Sequence, residues 1–121
     1  DNGMSFKDAL NFLRHKGVDS DLGLIKIEKY AMVGSELQIK QALILNGPLV
    51  GALPVYNSSR YFWRNEGGER FLGGHAISIV GYDKKGLIIR NSWGSAFGDN
   101  GYTHMDWNEI KKFYEIWTIV D

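Results

Sequence analysis

Apolar positions at the start of the chain recur with helical spacing. Phe6, Ala9, Leu10 and Leu13 share one face of a helix predicted over Ser5–Lys16. Ser5 and Asp8 resemble a capping pair, and Gly17 is a natural stop. Asp19 to Gly23 is polar and turn-like. Leu24 to Val33 reads as extended, with Ile25, Ile27 and Tyr30 turned inward. A second helix is predicted from Glu36 to Leu45, with Ser35 as N-cap, Gln38 completing a capping box, and Gly47-Pro48 ending it. From Leu49 onward the pattern becomes that of strands. Leu49–Tyr56 is apolar with small residues, and Asn57–Leu72 reads as a long surface loop. His75–Tyr82 and Leu87–Asn91 form a predicted hairpin about the turn Asp83-Lys84-Lys85-Gly86. Gly101–Trp107 and Ile116–Val120 read as two further strands. Along His75–Tyr82 apolar side chains fall on both faces (Ile77 and Ile79 on one, Ala76 and Val80 on the other), which predicts cover on both, as in a barrel or packed sheet.

Composition narrows this picture. Apolar residues make up 44% of the 121, enough for a real core and too many for wholesale disorder. The 14 basic and 14 acidic residues cancel, and basic runs stop at Lys84-Lys85 and Lys111-Lys112, so no nucleic-acid partner is predicted. No apolar run approaches the roughly 20 residues of a membrane span. The chain opens on Asp1-Asn2-Gly3, without an initiator methionine or a signal segment, and is read as cut, trimmed or partly represented. It contains no cysteine, so no disulfide is available; this favours a reducing compartment or a virus particle over secretion. His15, His75 and His104 are scattered, with no cysteine or clustered carboxylate beside them. That is a poor zinc set, and neither a metal nor a cofactor is predicted. His15 suits the C-terminal end of a helix dipole, and His104 a partly exposed strand position.

The candidate chemistry lies in three pieces: Gly73-Gly74-His75-Ala76-Ile77, then Val80-Gly81-Tyr82-Asp83, then Asn91-Ser92-Trp93-Gly94 followed by Gly98-Asp99-Asn100-Gly101-Tyr102. A lone histidine at a strand start is usually structural, and a lone asparagine at a strand end usually caps a turn. In this order and spacing the three together resemble the histidine and asparagine blocks of papain-like cysteine peptidases. The Gly-Gly-His-Ala form is most similar to the cathepsin B branch. The order of helix, extended linker and helix before Pro48 follows the same family.

The resemblance implies an α+β, papain-like fold: mainly the antiparallel, barrel-like sheet domain (residues 23–121), plus residues 1–22 as the tail of the helical domain. It implies that His75 pairs with a nucleophilic cysteine, that Asn91 orients His75, and that Trp93 shields the bond between them. Phe97 stands where relatives usually carry a second tryptophan. These roles make physical sense. A thiol attacks as thiolate, and a neighbouring imidazolium lowers its pKa. The imidazole then protonates the leaving amine, a step worth about 10²–10⁴ in rate. One ring nitrogen must face the sulfur, so the other needs an acceptor, which an asparagine oxygen supplies without a buried charge.

The family's cysteine block lies roughly 130–150 residues before its histidine and asparagine, whereas His75 is preceded by only 74 residues. Ser92 is the tempting substitute nucleophile, but the resemblance makes its position structural. The chain alone is therefore expected to be inactive, and to associate with a polypeptide segment carrying the cysteine helix, from the same precursor or another chain, to act on a peptide or protein substrate. The helix from Ser5 is expected to expose its apolar face unless a partner covers it. The alternative is a papain-fold structural or binding module that has lost the chemistry. Tyr61-Phe62-Trp63 is a candidate cleft lining, set against plain core and loop packing. One geometric difficulty stands out. Simple pairing about Lys84-Lys85 sets Asn91 opposite Ser78, on the face away from His75, so a bulge must shift the register or Asn91 must lie past the ladder.

Overall fold

The computed structural model describes residues 6–15, 18–20, 23–25 and 29–120 of the chain. A helix α1 (Phe6–His15) leads into a short antiparallel pair, β1 (Val18–Ser20) with β2 (Gly23–Ile25). Then come β3 (Lys29–Met32), α2 (Glu36–Asn46), β4 (Leu49–Val55), β5 (Gly73–Tyr82), β6 (Gly86–Arg90), β7 (Tyr102–Asp106), a 3-10 helix (Trp107–Lys112) and β8 (Glu115–Val120). All but the first two strands form one six-stranded antiparallel sheet in the order β3-β8-β4-β5-β6-β7. Among the described residues its two edges, β3 and β7, do not pair, so it is an open sheet within an α+β fold.

The second helix is closed at both ends by its own sequence. Ser35 Oγ accepts from the Gln38 backbone N–H at 3.1 Å, and the Gln38 side-chain oxygen accepts from the N–H groups of Gly34 and Ser35 at 2.9 and 3.3 Å. At the other end the Gly47 N–H donates to the Leu43 carbonyl, in a positive-φ conformation that glycine tolerates. Ile39 and Ala42 point inward. With Leu49, Leu53, Ile77, Ile79, Leu87, Ile89 and Met105 from four strands, and with Phe62, Trp63 and Phe97 from loops, they make the main core. The opposite face of the sheet receives α1: Leu10 is buried against Trp117, with Phe6, Tyr30, Val50 and Ile119 around it.

Several expectations change here. The apolar face of α1 is partly covered within this chain, because Leu10 lies on the sheet; the side chain of Leu13 lies outside what is described. The segment read as a turn over Asp19–Gly23 instead contributes to both arms of the β1–β2 pair. Strand β5 is not covered on both sides: Ile77 and Ile79 are buried, whereas Ala76 on the other face is exposed. Trp107 starts a 3-10 helix rather than ending a strand. The expected Ser5 cap, the Gly17 stop and Ile27 lie outside the described residues, as does the side chain of Ile25.

Two local features carry the sheet to the site. The β5–β6 hairpin closes at Gly86, where any Cβ would meet the Met105 carbonyl of the neighbouring strand. Its pairing then shifts by one residue: Gly81 is opposite Ile88, but Ile79 is opposite Ile89 and Ser78 opposite Arg90. Val80 is the extra residue of this bulge.

Candidate active site

The bulge resolves the register difficulty. With Ser78 opposite Arg90, the residue after Arg90 extends the ladder on the face that carries Ile77 and, two residues earlier, His75. Asn91 therefore arrives beside His75, and the His75 Nε2–H donates to Asn91 Oδ1 at 2.7 Å. An amide oxygen can only accept, so the ring proton of this bond sits on Nε2. Among the described residues Nδ1, the other ring nitrogen, has no hydrogen-bond partner.

Asn91 is held from both sides. Its N–H donates to the Gly101 carbonyl at 2.9 Å, and the loop between them folds back through Gly101 N–H to Phe97 O and Phe97 N–H to Gly94 O. Gly98 sits in this loop with φ +53, too close to the Tyr102 carbonyl for a side chain. The Asn91 side chain is almost wholly buried, at 3% exposure, yet among the described residues its Nδ2 has no hydrogen-bond partner. That is an unusual condition for a buried amide.

Aromatic rings enclose the imidazole. Trp93 stacks on it, with ring centroids 5.0 Å apart and planes 25° apart. Phe62 stands edge-on at 6.0 Å and also touches Trp93 at 4.9 Å. Phe97 packs against both Phe62 and Trp93, so the phenyl ring fills its place as an aromatic support. Trp93 itself remains 39% exposed. Ser92 is exposed and forms no hydrogen bond with the ring among the described residues.

The aromatic run over 61–63 does not line an open cleft. Phe62 and Trp63 are 0% exposed. They are held down by a buried carboxylate that sequence reasoning missed. Glu109, on the 3-10 helix, accepts from Trp63 Nε1–H at 2.9 Å and from Arg64 Nε–H and Nη2–H at 2.8 and 2.7 Å. The Arg64 pairing, above all, holds the Glu109 carboxyl below the usual carboxylate range. The only sequence signal was an arginine directly after three aromatics; nothing pointed to a partner 45 residues on. His104 lies elsewhere, where its Nε2–H donates to Asp83 Oδ1 at 2.9 Å and braces the β5–β6 turn. This bond is the main reason the Asp83 carboxyl is also held low. His15 is exposed at the end of α1.

The family model described as papain family cysteine protease matches residues 8–117. The chain belongs to the papain family of cysteine proteases. It is 33% identical over 123 aligned positions to human cathepsin O, covering 87% of this chain and 35% of that protein. It is 41% identical over 73 positions to cathepsin B-like CP3 of Giardia intestinalis, covering 53% of this chain and 24% of that protein. The chain thus spans a quarter to a third of the length of these papain-family relatives. Among solved structures, xylellain, a cysteine protease from Xylella fastidiosa, superposes with a TM-score of 0.81 at 24% identity, over 99% of this chain and 62% of that one. The procathepsin B S9 of Trypanosoma congolense gives 0.71 at 18% identity, over 93% and 51%. At these identities the structural likeness is one of fold: this chain has the papain fold's C-terminal portion, with its sheet.

Proposed function

We propose that this chain supplies the general acid–base half of a papain-type thiol endopeptidase, and that the nucleophilic cysteine comes from polypeptide outside these 121 residues. In this reading residues 1–22 are the tail of the helical domain, and 23–121 the sheet domain. The observation that carries it is the 2.7 Å bond from His75 Nε2–H to Asn91 Oδ1, which leaves Nδ1 to meet a thiol.

The steps follow from that tether. Nδ1 accepts the thiol proton, and the resulting imidazolium stabilises the thiolate. The sulfur attacks the carbonyl carbon of a peptide, and Nδ1–H then protonates the departing amine. Water releases the acyl group with the imidazole as base. Throughout, Asn91 fixes the ring's orientation and takes no proton, while Trp93 keeps bulk water off the bond.

Two features favour a docked segment. An open groove of about 630 Å³ adjoins Asn91, with Phe6 on one side and Val50, Ala76, Ser78 and Arg90 among its lining. Among the described residues the buried Asn91 Nδ2 has no partner, and a docked segment would supply an acceptor. The purified chain is expected to show no peptidase activity and to be recovered, in its native setting, with the cysteine-bearing polypeptide. Turnover by the isolated chain that His75→Ala abolishes would refute the division of the site. An intact assembly carrying cysteine at the nucleophile position, yet inert toward all peptides, would leave a non-catalytic module instead.

A further inference from the structure

Phe62 joins the candidate catalytic pair to the far side of the core. It touches His75, Trp93 and Phe97 on one side and Trp63 on the other, at 5.2 Å. It belongs to a tight turn: Tyr56 N–H donates to the Phe62 carbonyl, and Arg64 N–H to the Tyr61 carbonyl, each at 2.9 Å. Its position therefore follows from whatever fixes residues 61–64. Below the turn, Asn57 holds the loop by donating to Arg64 O and Glu69 Oε1. Above it the fixing group is Glu109, the sole acceptor among the described residues for Trp63 Nε1–H and for Arg64 Nε–H and Nη2–H.

Resting on the reading of His75 as the catalytic imidazole, we propose that Glu109 is a positioning residue for catalysis. Through Trp63 and Arg64 it sets Phe62, and Phe62 sets the imidazole's edge and the Trp93 ring that covers its face. The physical argument is one of alternatives. Trp63 is 0% exposed, so without the carboxylate its N–H has no acceptor and no water. An unpaired buried donor is costly enough to make the turn move. Any such movement shifts Phe62 against a ring stacked 25° from parallel on Trp93 and tethered at its opposite nitrogen. A displacement of about 1 Å at a reacting group costs about a hundredfold in rate. The remote pairing of Glu109 with Arg64 and Trp63 is thus a determinant of where Nδ1 lies.

The test uses the assembled peptidase, this chain together with its cysteine-bearing segment. Glu109→Gln keeps the shape but offers one acceptor oxygen to three N–H donors and turns its own amide N–H against Arg64, so the bonds that fix the turn cannot all be made. It is expected to lower kcat by about tenfold to a hundredfold while KM stays within about twofold, because substrate contacts are not touched. In the NMR spectrum the His75 Nε2–H proton, shielded by Trp93, should exchange with water faster than in the parent. Both readouts are taken per folded molecule, at a temperature where parent and variant are fully folded by circular dichroism, so that a loss of folded fraction does not mimic this split. Glu109→Gln that folds with kcat and Nε2–H exchange unchanged would overturn the inference. If that variant does not fold, Trp63→Phe decides, since it keeps an aromatic side chain and removes the donor together with the pyrrole ring: a fall in kcat at constant KM supports the inference, and no change refutes it. The proton-exchange readout does not depend on activity. If His75→Ala leaves turnover intact, the catalytic reading fails by itself, and Nε2–H exchange alone decides whether Glu109 positions the ring.

Discussion

Asn91→Ala should separate stability from function. Truncation removes the bond to His75, worth about 0.5–1.5 kcal/mol net, and opens a small gap that costs about 1 kcal/mol more. It also removes the buried Nδ2, which has no partner among the described residues, relieving about 1–3 kcal/mol of unrecovered desolvation. The liberated Nε2–H belongs to a half-buried ring that water can reach. These terms cancel to within about 1 kcal/mol, so the variant should be about as stable as the parent. In the assembled peptidase, however, the imidazole loses the acceptor that orients it, and the rate should fall at least about tenfold. Urea unfolding with linear extrapolation measures the first quantity, and steady-state kinetics the second. Phe62→Ala supplies the contrast. Its ring is wholly buried one contact away from the same imidazole, and removing it should cost about 3–5 kcal/mol. If Asn91→Ala instead costs more than about 2 kcal/mol, the Nδ2 group has a partner and the reasoning fails.

Two further outcomes follow from geometry. The folded-state pKa of Glu109 is lowered, chiefly by its bonds to Arg64. Its contribution to stability is therefore complete above the unfolded carboxyl value of about 4.3 and is lost as pH falls through the lower folded value. The stability gap between parent and Glu109→Gln should be constant near neutrality and shrink below about pH 4, and a gap that stays flat into strong acid contradicts this. Gly86→Ala drives a methyl into the Met105 carbonyl, a backbone group that cannot swing aside, and should cost about 1–3 kcal/mol or more. Gly34→Ala, where nothing stands within 4 Å, is the control, and equal melting temperatures for the two variants would be the contrary result.

The parts of the fold legible in the sequence were those whose signals are local. Ser35, Gln38 and Gly47 announce α2 within a dozen residues, and the structure ends that helix one residue beyond the expected Leu45. The hairpin of β5 and β6 is likewise written in its own alternation and turn. The 3-10 helix was missed because Trp107–Lys112 carries no periodicity of its own; its buried member, Glu109, is explained only by Trp63 and Arg64 far along the chain. The β1 strand was missed because Val18–Ser20 is too short and polar to alternate. At the site, residue type and spacing named His75, Asn91 and Trp93, and in the structure His75 bonds to Asn91 and stacks on Trp93. The environment behind them was illegible. Phe62 read as a candidate cleft lining in a long loop, and only packing shows it to be a buried wall.

The bulge at Val80 also acts as a check against misfolding. A regular ladder, one residue out of step, would set Arg90 opposite Ile79, which is 0% exposed, and turn Ile89 out toward the open face. That alternative buries a guanidinium without a partner, at a cost of several kcal/mol per ion. It also separates the amide of Asn91 from the imidazole. Competing registers are thus told apart by oil and charge long before any substrate is met. Replacing Arg90 by an apolar residue would remove that discrimination, and the chain could then settle, well packed and stable, into a hairpin whose asparagine faces the wrong way.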